Sequence, residues 1–205
     1  MGAQKRIALY GGTFDPVHVG HLEVARRVPK LFEIEKVIFI PAQMAPHKIG
    51  RPVTEPIHRY AMLALATQDD PQLSISTFEL DAPDRRYTVD TIAHFQHALG
   101  ESTELFFIMG ADSWAEITTW REWERLVAMT NHIVVTRPGY ESATTHASNI
   151  FFTDVVMNDV SATNIRRLAR EGRWDELKNL LPPTVLEYIK KYEIYRELNE
   201  AKLNS

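Results

Sequence analysis

Gly11-Gly12-Thr13-Phe14-Asp15-Pro16-Val17-His18-Val19-Gly20-His21 follows the short apolar run Ile7-Ala8-Leu9-Tyr10 and leads into Leu22-Glu23-Val24-Ala25. The run before it reads as a strand and the run after it as the opening of a helix. A strand, a tight glycine turn and a helix start together aim backbone N–H groups at an anion. Gly11 and Gly12 lack a Cβ, so they can take positive φ and let a phosphate approach the chain. His18 and His21 are three residues apart and share one face of a helical first turn, within reach of one bound group. The stretch is expected to be a polyphosphate site. Two histidines on a helix could also serve zinc, but no third histidine or carboxylate sits at ligand spacing nearby and the chain has no cysteine.

Outward from this stretch, strand-like and helix-like runs alternate. Arg6 to Tyr10 is the first strand and His21 to about Leu31 the first helix. Lys36 to Ile40 is a second strand, nearly continuous in apolar residues, as a strand covered on both faces should be. Pro41 to Pro52 is a proline-punctuated loop. Thr54 is placed to cap a helix with Pro56 in its first turn, running through Ala66. Leu73 to Phe78 is a third strand, and Thr88 is placed to cap a helix that ends at Gly100. Leu105 to Met109 is the most apolar strand and stops at Gly110-Ala111-Asp112. Glu122 to Met129 is helical, His132 to Thr136 is the fifth strand, Arg137 to Asn149 is a polar loop, and Ile150 to Thr153 is a short sixth strand. A helix spans Ser161 to Arg170, and two more flank Pro182-Pro183.

This alternation implies an α/β fold, a doubly wound, mostly parallel sheet with right-handed crossovers and C-terminal helices. Ligands of such sheets bind beyond the carboxyl ends of the strands, where the strand order reverses. Gly11, the Pro41–Lys48 segment, Gly110 to Asp112 and Arg137 all follow strands. With 205 residues and no internal repeat, low-complexity tract or linker, the chain is expected to be one domain.

Composition narrows the chemistry. A net charge of −4 argues against bulk nucleic-acid binding, so a phosphate ligand must meet a local cluster of basic groups. The absence of cysteine leaves no disulfide framework and no thiol chemistry. The apolar run before Gly11 is too short for a signal peptide or a membrane span, and a cytoplasmic protein is expected.

A second constellation is Ser161-Ala162-Thr163-Asn164-Ile165-Arg166. Ser161 stands where an N-cap belongs, so the free N–H groups of the first turn and the positive end of the helix dipole face outward. Arg166, one turn further in, adds a planar guanidinium suited to phosphate oxygens. Read alone, this is better taken as an ordinary capped helix with a surface arginine; beside the His18–His21 loop it reads as a second phosphate-binding end. Asp112 could serve ribose hydroxyls or simply cap a turn.

The first stretch, Pro46-His47-Lys48, Tyr87-Thr88-Val89-Asp90-Thr91, Gly110-Ala111-Asp112-Ser113, Trp120 and Ser161 to Arg166 occur in an order that resembles the bacterial nicotinate mononucleotide adenylyltransferases of the nucleotidylyltransferase superfamily. The resemblance covers essentially the whole chain; Ala162 departs from it, where many relatives carry a hydroxyl residue. It implies transfer of AMP from ATP to nicotinate mononucleotide, a step of NAD biosynthesis, with magnesium accompanying ATP and its phosphates holding the ion. It implies that Gly11, Gly12, Thr13, Phe14, His18, His21, Gly110, Asp112, Ser161, Thr163 and Arg166 meet ATP, and that His18, His21, Lys48 and Arg166 act on the phosphates. Thr13, His47, Lys48, Thr88, Asp112, Trp120, Arg121 and Arg137 would meet the acceptor, with Trp120 stacked on the pyridine ring. N–H groups at the start of the Thr88 helix and just after Trp120 would bind the ring carboxylate. A phosphopantetheine or nicotinamide mononucleotide acceptor and a non-catalytic nucleotide sensor are the alternatives. A homo-oligomer stays open.

Overall fold

Leu105-Phe106-Phe107-Ile108-Met109 is apolar at every position, which a strand tolerates only when both its faces are covered. The computed structural model, which describes residues 4–43, 53–82, 86–136, 148–155 and 160–196, covers it on both. Phe106 and Ile108 point into one buried cluster with Ala8 and Tyr10, while Leu105, Phe107 and Met109 point into a second with Leu9. Six strands form the sheet: β1 (Lys5–Gly12), β2 (Lys36–Pro41), β3 (Leu73–Ile75), β4 (Thr103–Gly110), β5 (Asn131–Val135) and β6 (Ile150–Thr153). Their order is β3-β2-β1-β4-β5-β6, and every pairing is parallel.

The helices divide between the faces. The first cluster takes Leu22 and Val24 of α1 (Val19–Phe32), Met62 and Leu63 of α2 (Pro56–Thr67), and Ile165 and Leu168 of α6 (Ala162–Arg170). It also holds Leu177 of α7 (Trp174–Leu177) and Val185 and Ile189 of α8 (Pro183–Lys191). The second takes Val89 and Ile92 of α3 (Thr88–Leu99) and Leu126 of α5 (Trp123–Met129), with the short α4 (Ala111–Ala115) at its edge. α1 shows why such segments are helices: Leu22, Ala25, Val28 and Pro29 recur at three- and four-residue spacing on its buried side, and Arg26, Arg27 and Lys30 are exposed.

The chain goes left from β1 to β2 and β3, then returns to β4 on the other side of β1. The switch point therefore lies between β1 and β4, and there the sheet ends on Gly12 and Gly110. β1 reaches Gly12 opposite Pro41 of β2, and β4 reaches Gly110 opposite Val135 of β5.

Several boundaries differ from the sequence reading. β3 stops at Ile75, because the Ser76 hydroxyl accepts the Phe78 N–H at 3.1 Å and turns the chain before Phe78 can pair. α1 starts at Val19, with His18 as its extended N-cap. Thr54 is not a cap: Glu55 holds that position before Pro56. Thr88 is the first residue of α3, and Tyr87 is its N-cap.

Candidate active site

β1 delivers Gly11 and Gly12 to the switch point, still paired with Ile40 and Pro41. The positive φ expected of them is absent; the residue that takes it is Phe14, at φ 51°. The glycines are needed for space instead. A Cβ on Gly11 would stand 2.8 Å from Cζ of Phe107, and one on Gly12 would stand 2.8 Å from Cζ of Phe14. Both rings are almost fully buried, so neither can step aside at low cost.

Phe14 fills this corner, edge-on to Tyr10 and Phe39 and 5.0 Å from the His21 ring. His18 and His21 do come together, but as a stack, with ring centroids 3.7 Å apart and planes 25° from parallel. The His18 backbone N–H donates to His21 Nδ1 at 3.3 Å. A nitrogen that accepts carries no proton, so the neutral His21 ring holds its hydrogen on Nε2. His18 is itself buried, which pushes its imidazole down to about 4 and keeps it neutral at physiological pH.

α6 reaches the same place from the far end of the chain. Ser161 is its N-cap by backbone geometry, and its carbonyl accepts the Ile165 N–H at 3.0 Å. The Ser161 side chain makes no capping hydrogen bond, so it does not occupy the N–H groups of the first turn. Arg166 Nη1 donates to the Asp15 carbonyl at 2.6 Å, and Arg166 Nη2 to Thr163 Oγ1 at 3.2 Å. A Cβ on Gly20 would lie 3.8 Å from Cβ of Val160. Val160, just ahead of α6, thus borders the second residue of α1, and the two helix starts lie near one another.

The remaining candidates ring the second face. Among the described residues nothing stands within 4 Å of a Cβ built on Gly110, so none of them covers the end of β4 there. Asp112, exposed on α4, follows it directly. Trp120 packs partly buried against the second cluster, and the Arg121 guanidinium lies 4.7 Å above the Tyr87 ring. That contact sets Arg121 beside the N-terminus of α3, where Thr88 is. His47, Lys48 and Arg137 lie outside the described residues. Among the described residues no three His, Cys, Asp or Glu side chains form a cluster that could hold a metal ion.

One residue of the site escaped the sequence reading. Arg59 of α2 is fully buried, and it donates through Nε to the Thr54 carbonyl at 2.9 Å, through Nη1 to Thr13 at 2.8 Å and through Nη2 to Gln43 at 3.1 Å. It ties the turn after β1 to the segment after β2. Burial pushes its guanidinium down, and the nearby Asp15 charge opposes that. The signal was present: Arg59 precedes Met62 and Leu63 at three- and four-residue spacing, a charge on the apolar stripe of a helix.

Residues 9–168 match the cytidylyltransferase-like family. The chain is 40% identical over 210 residues to the "Probable nicotinate-nucleotide adenylyltransferase" of Thermoanaerobacter sp. (strain X514), covering 98% of this chain and 99% of that protein. It is 39% identical to a protein of the same name from Thermus thermophilus, covering 93% of this chain and all of that one. Among solved structures, the Plasmodium falciparum nicotinic acid mononucleotide adenylyltransferase complexed with NaAD superposes with a TM-score of 0.77 at 20% identity, over 93% of this chain and 97% of that one, a likeness of fold. Two helix starts meeting at the switch point of a parallel sheet, and full-length similarity of this order, lead to one conclusion: the chain belongs to the nicotinate-nucleotide adenylyltransferases of the cytidylyltransferase-like family.

Proposed function

We propose that this protein moves AMP from ATP to nicotinate mononucleotide, releasing pyrophosphate and forming nicotinate adenine dinucleotide. The observation that carries this reading is the meeting of the α1 and α6 N-termini, linked by Arg166 and Asp15. The acceptor is a phosphate monoester whose second pKa is near 6, so it is largely dianionic at neutral pH and needs no general base. One of its oxygens bonds to the α-phosphorus as the bond from that phosphorus to the bridging oxygen breaks, and the electron pair leaves with pyrophosphate. The protein's work is to align two anions and neutralise the developing charge.

His21, with its hydrogen on Nε2, donates to the α-phosphate where charge builds, and His18 supports it as a neutral neighbour. Arg166, Lys48 and the N–H groups after Ser161, with Thr163, hold the β- and γ-phosphates. Gly11, Gly12, Thr13 and Phe14 form the floor beneath the nucleotide, and Gly110 and Asp112 meet the ribose. Trp120 stacks on the pyridine ring, while N–H groups at Thr88 and Arg121 take its carboxylate, an anion suited to a helix start. Thr13, His47, Lys48, Asp112 and Arg137 complete the acceptor site. The cationic groups here would hold phosphates and not the metal, so magnesium would draw its oxygens from ATP and water. When bound, it supplies further neutralisation of the triphosphate. We read the chain as one cytoplasmic domain; no described helix is long and apolar enough to cross a membrane.

Pyrophosphate release with ATP and magnesium tests this, with nicotinate mononucleotide, nicotinamide mononucleotide and phosphopantetheine as acceptors. The reading expects the highest kcat/KM for nicotinate mononucleotide. A preference for either other acceptor overturns the substrate assignment, and ATP binding without release from any acceptor overturns the enzyme.

A further inference from the structure

Beyond α8 the chain reverses sharply. Glu193 and Tyr195 both take left-handed backbone conformations, at φ 51° and 72°. Two such non-glycine residues so close together are costly and persist only where the surroundings dictate them. The reversal puts Ile194 into the first core cluster and sends Tyr195 back toward the turn after β1. There the Tyr195 hydroxyl donates to Asp15 Oδ1 at 2.7 Å. Asp15 is itself buried, and its other carboxylate oxygen accepts the Thr54 N–H at 3.3 Å. Its backbone carbonyl is the group that holds Arg166.

We propose that Tyr195 is a positioning residue for triphosphate binding: by satisfying the Asp15 carboxylate, it keeps Arg166 on the Asp15 carbonyl and aimed at the nucleotide. This rests on the ATP role assigned to Arg166 above. Burial, reinforced by the Asp15 charge, pushes the Tyr195 phenol well above its ordinary range, so it stays protonated and donates. Without that donor, the Asp15 carboxylate holds an unmet oxygen in a poorly solvated site. Arg166 is a cation already in contact with the same residue, and turning to the carboxylate draws it off the phosphates.

The test measures the dissociation constants of a non-hydrolysable ATP analogue and of nicotinate mononucleotide for the wild type, Tyr195→Phe, Asp15→Asn and the double variant, with unfolding temperatures for each. Only part of the loss of a hydrogen bond to a charged group passes through Arg166 to the ligand, so Tyr195→Phe should weaken the ATP analogue by about 5- to 10-fold and leave nicotinate mononucleotide within about 2-fold. In the Asp15→Asn background the same change should cost the analogue less than about 2-fold. Equal weakening of both ligands, or a full effect in the Asp15→Asn background, assigns Tyr195 a structural role and overturns the proposal. If Asp15→Asn does not fold, the ratio of the two constants in Tyr195→Phe decides alone. A wild type that binds no ATP analogue refutes the proposed function itself; a wild type that binds it only as tightly as Tyr195→Phe does refutes only the proposal.

Discussion

Arg166 donates to the Asp15 carbonyl at 2.6 Å, joining residues 151 positions apart in the chain. This contact couples the loop before α1 to α6, one turn past its start. Neither helix start alone distinguishes a phosphate site from an ordinary capped helix. Together, in the proposed function, they offer two positive dipole ends and a guanidinium to one triphosphate near the switch point of the sheet.

His21 accepts the His18 N–H on Nδ1, and in the proposed function its Nε2 is the donor to substrate. A donor that matters most as charge builds lowers kcat when removed. His21→Ala should therefore reduce kcat by about 100- to 1000-fold while the KM for ATP changes by less than about tenfold. Steady-state kinetics over a range of ATP concentrations measures both. An unchanged kcat with a raised KM would make His21 a ground-state binding residue.

Arg59 is buried with three backbone carbonyls on its guanidinium. Arg59→Met fills much of the volume but strands those carbonyls and removes one of the two cations near Asp15, leaving Arg166. The expected loss is about 2–4 kcal/mol, which for a chain of this size lowers the unfolding temperature by roughly 5–12 °C. Calorimetry reads it directly. A shift of less than about a degree would mean that the three carbonyls find other partners.

Glu79 accepts the Thr91 hydroxyl at 2.7 Å, and burial pushes its carboxyl up from 4.5 to about 7. The folded state therefore holds a proton that the unfolded chain releases earlier, and stability falls as pH rises from the ordinary carboxylate range toward neutrality. Glu79→Gln keeps the acceptor for Thr91 and removes the charge. It should stabilise the protein at about pH 8 by on the order of 1–3 kcal/mol and much less at about pH 5. Denaturant unfolding at the two pH values checks this, and an equal gain at both would show that ionisation is not the cause.

The sheet was legible because its signal is local: the unbroken apolar run from Leu105 to Met109 can only be a strand covered on both faces. The helix start at Ser161 was legible from local residue types as well, whereas α1 begins two residues before the His21 start that the sequence suggested. What escaped depends on three-dimensional neighbours, most of them distant in sequence. Gly11 and Gly12 announced themselves as glycines, but their reason is the approach of Phe107 and Phe14, not positive φ. Arg59 was hidden in an otherwise ordinary helix, although its place on the apolar stripe was a usable sign. Tyr195 carried no sign at all, since its role depends on a chain reversal that brings it to Asp15 across 180 positions.

The most direct measurement is a crystal structure with a non-hydrolysable ATP analogue and magnesium. The account predicts the triphosphate between the α1 and α6 N-termini, with His21 Nε2 within hydrogen-bonding distance of the α-phosphate and Arg166 on the β- or γ-phosphate. A triphosphate seated on only one of these helix ends, or anywhere else on the molecule, would contradict it.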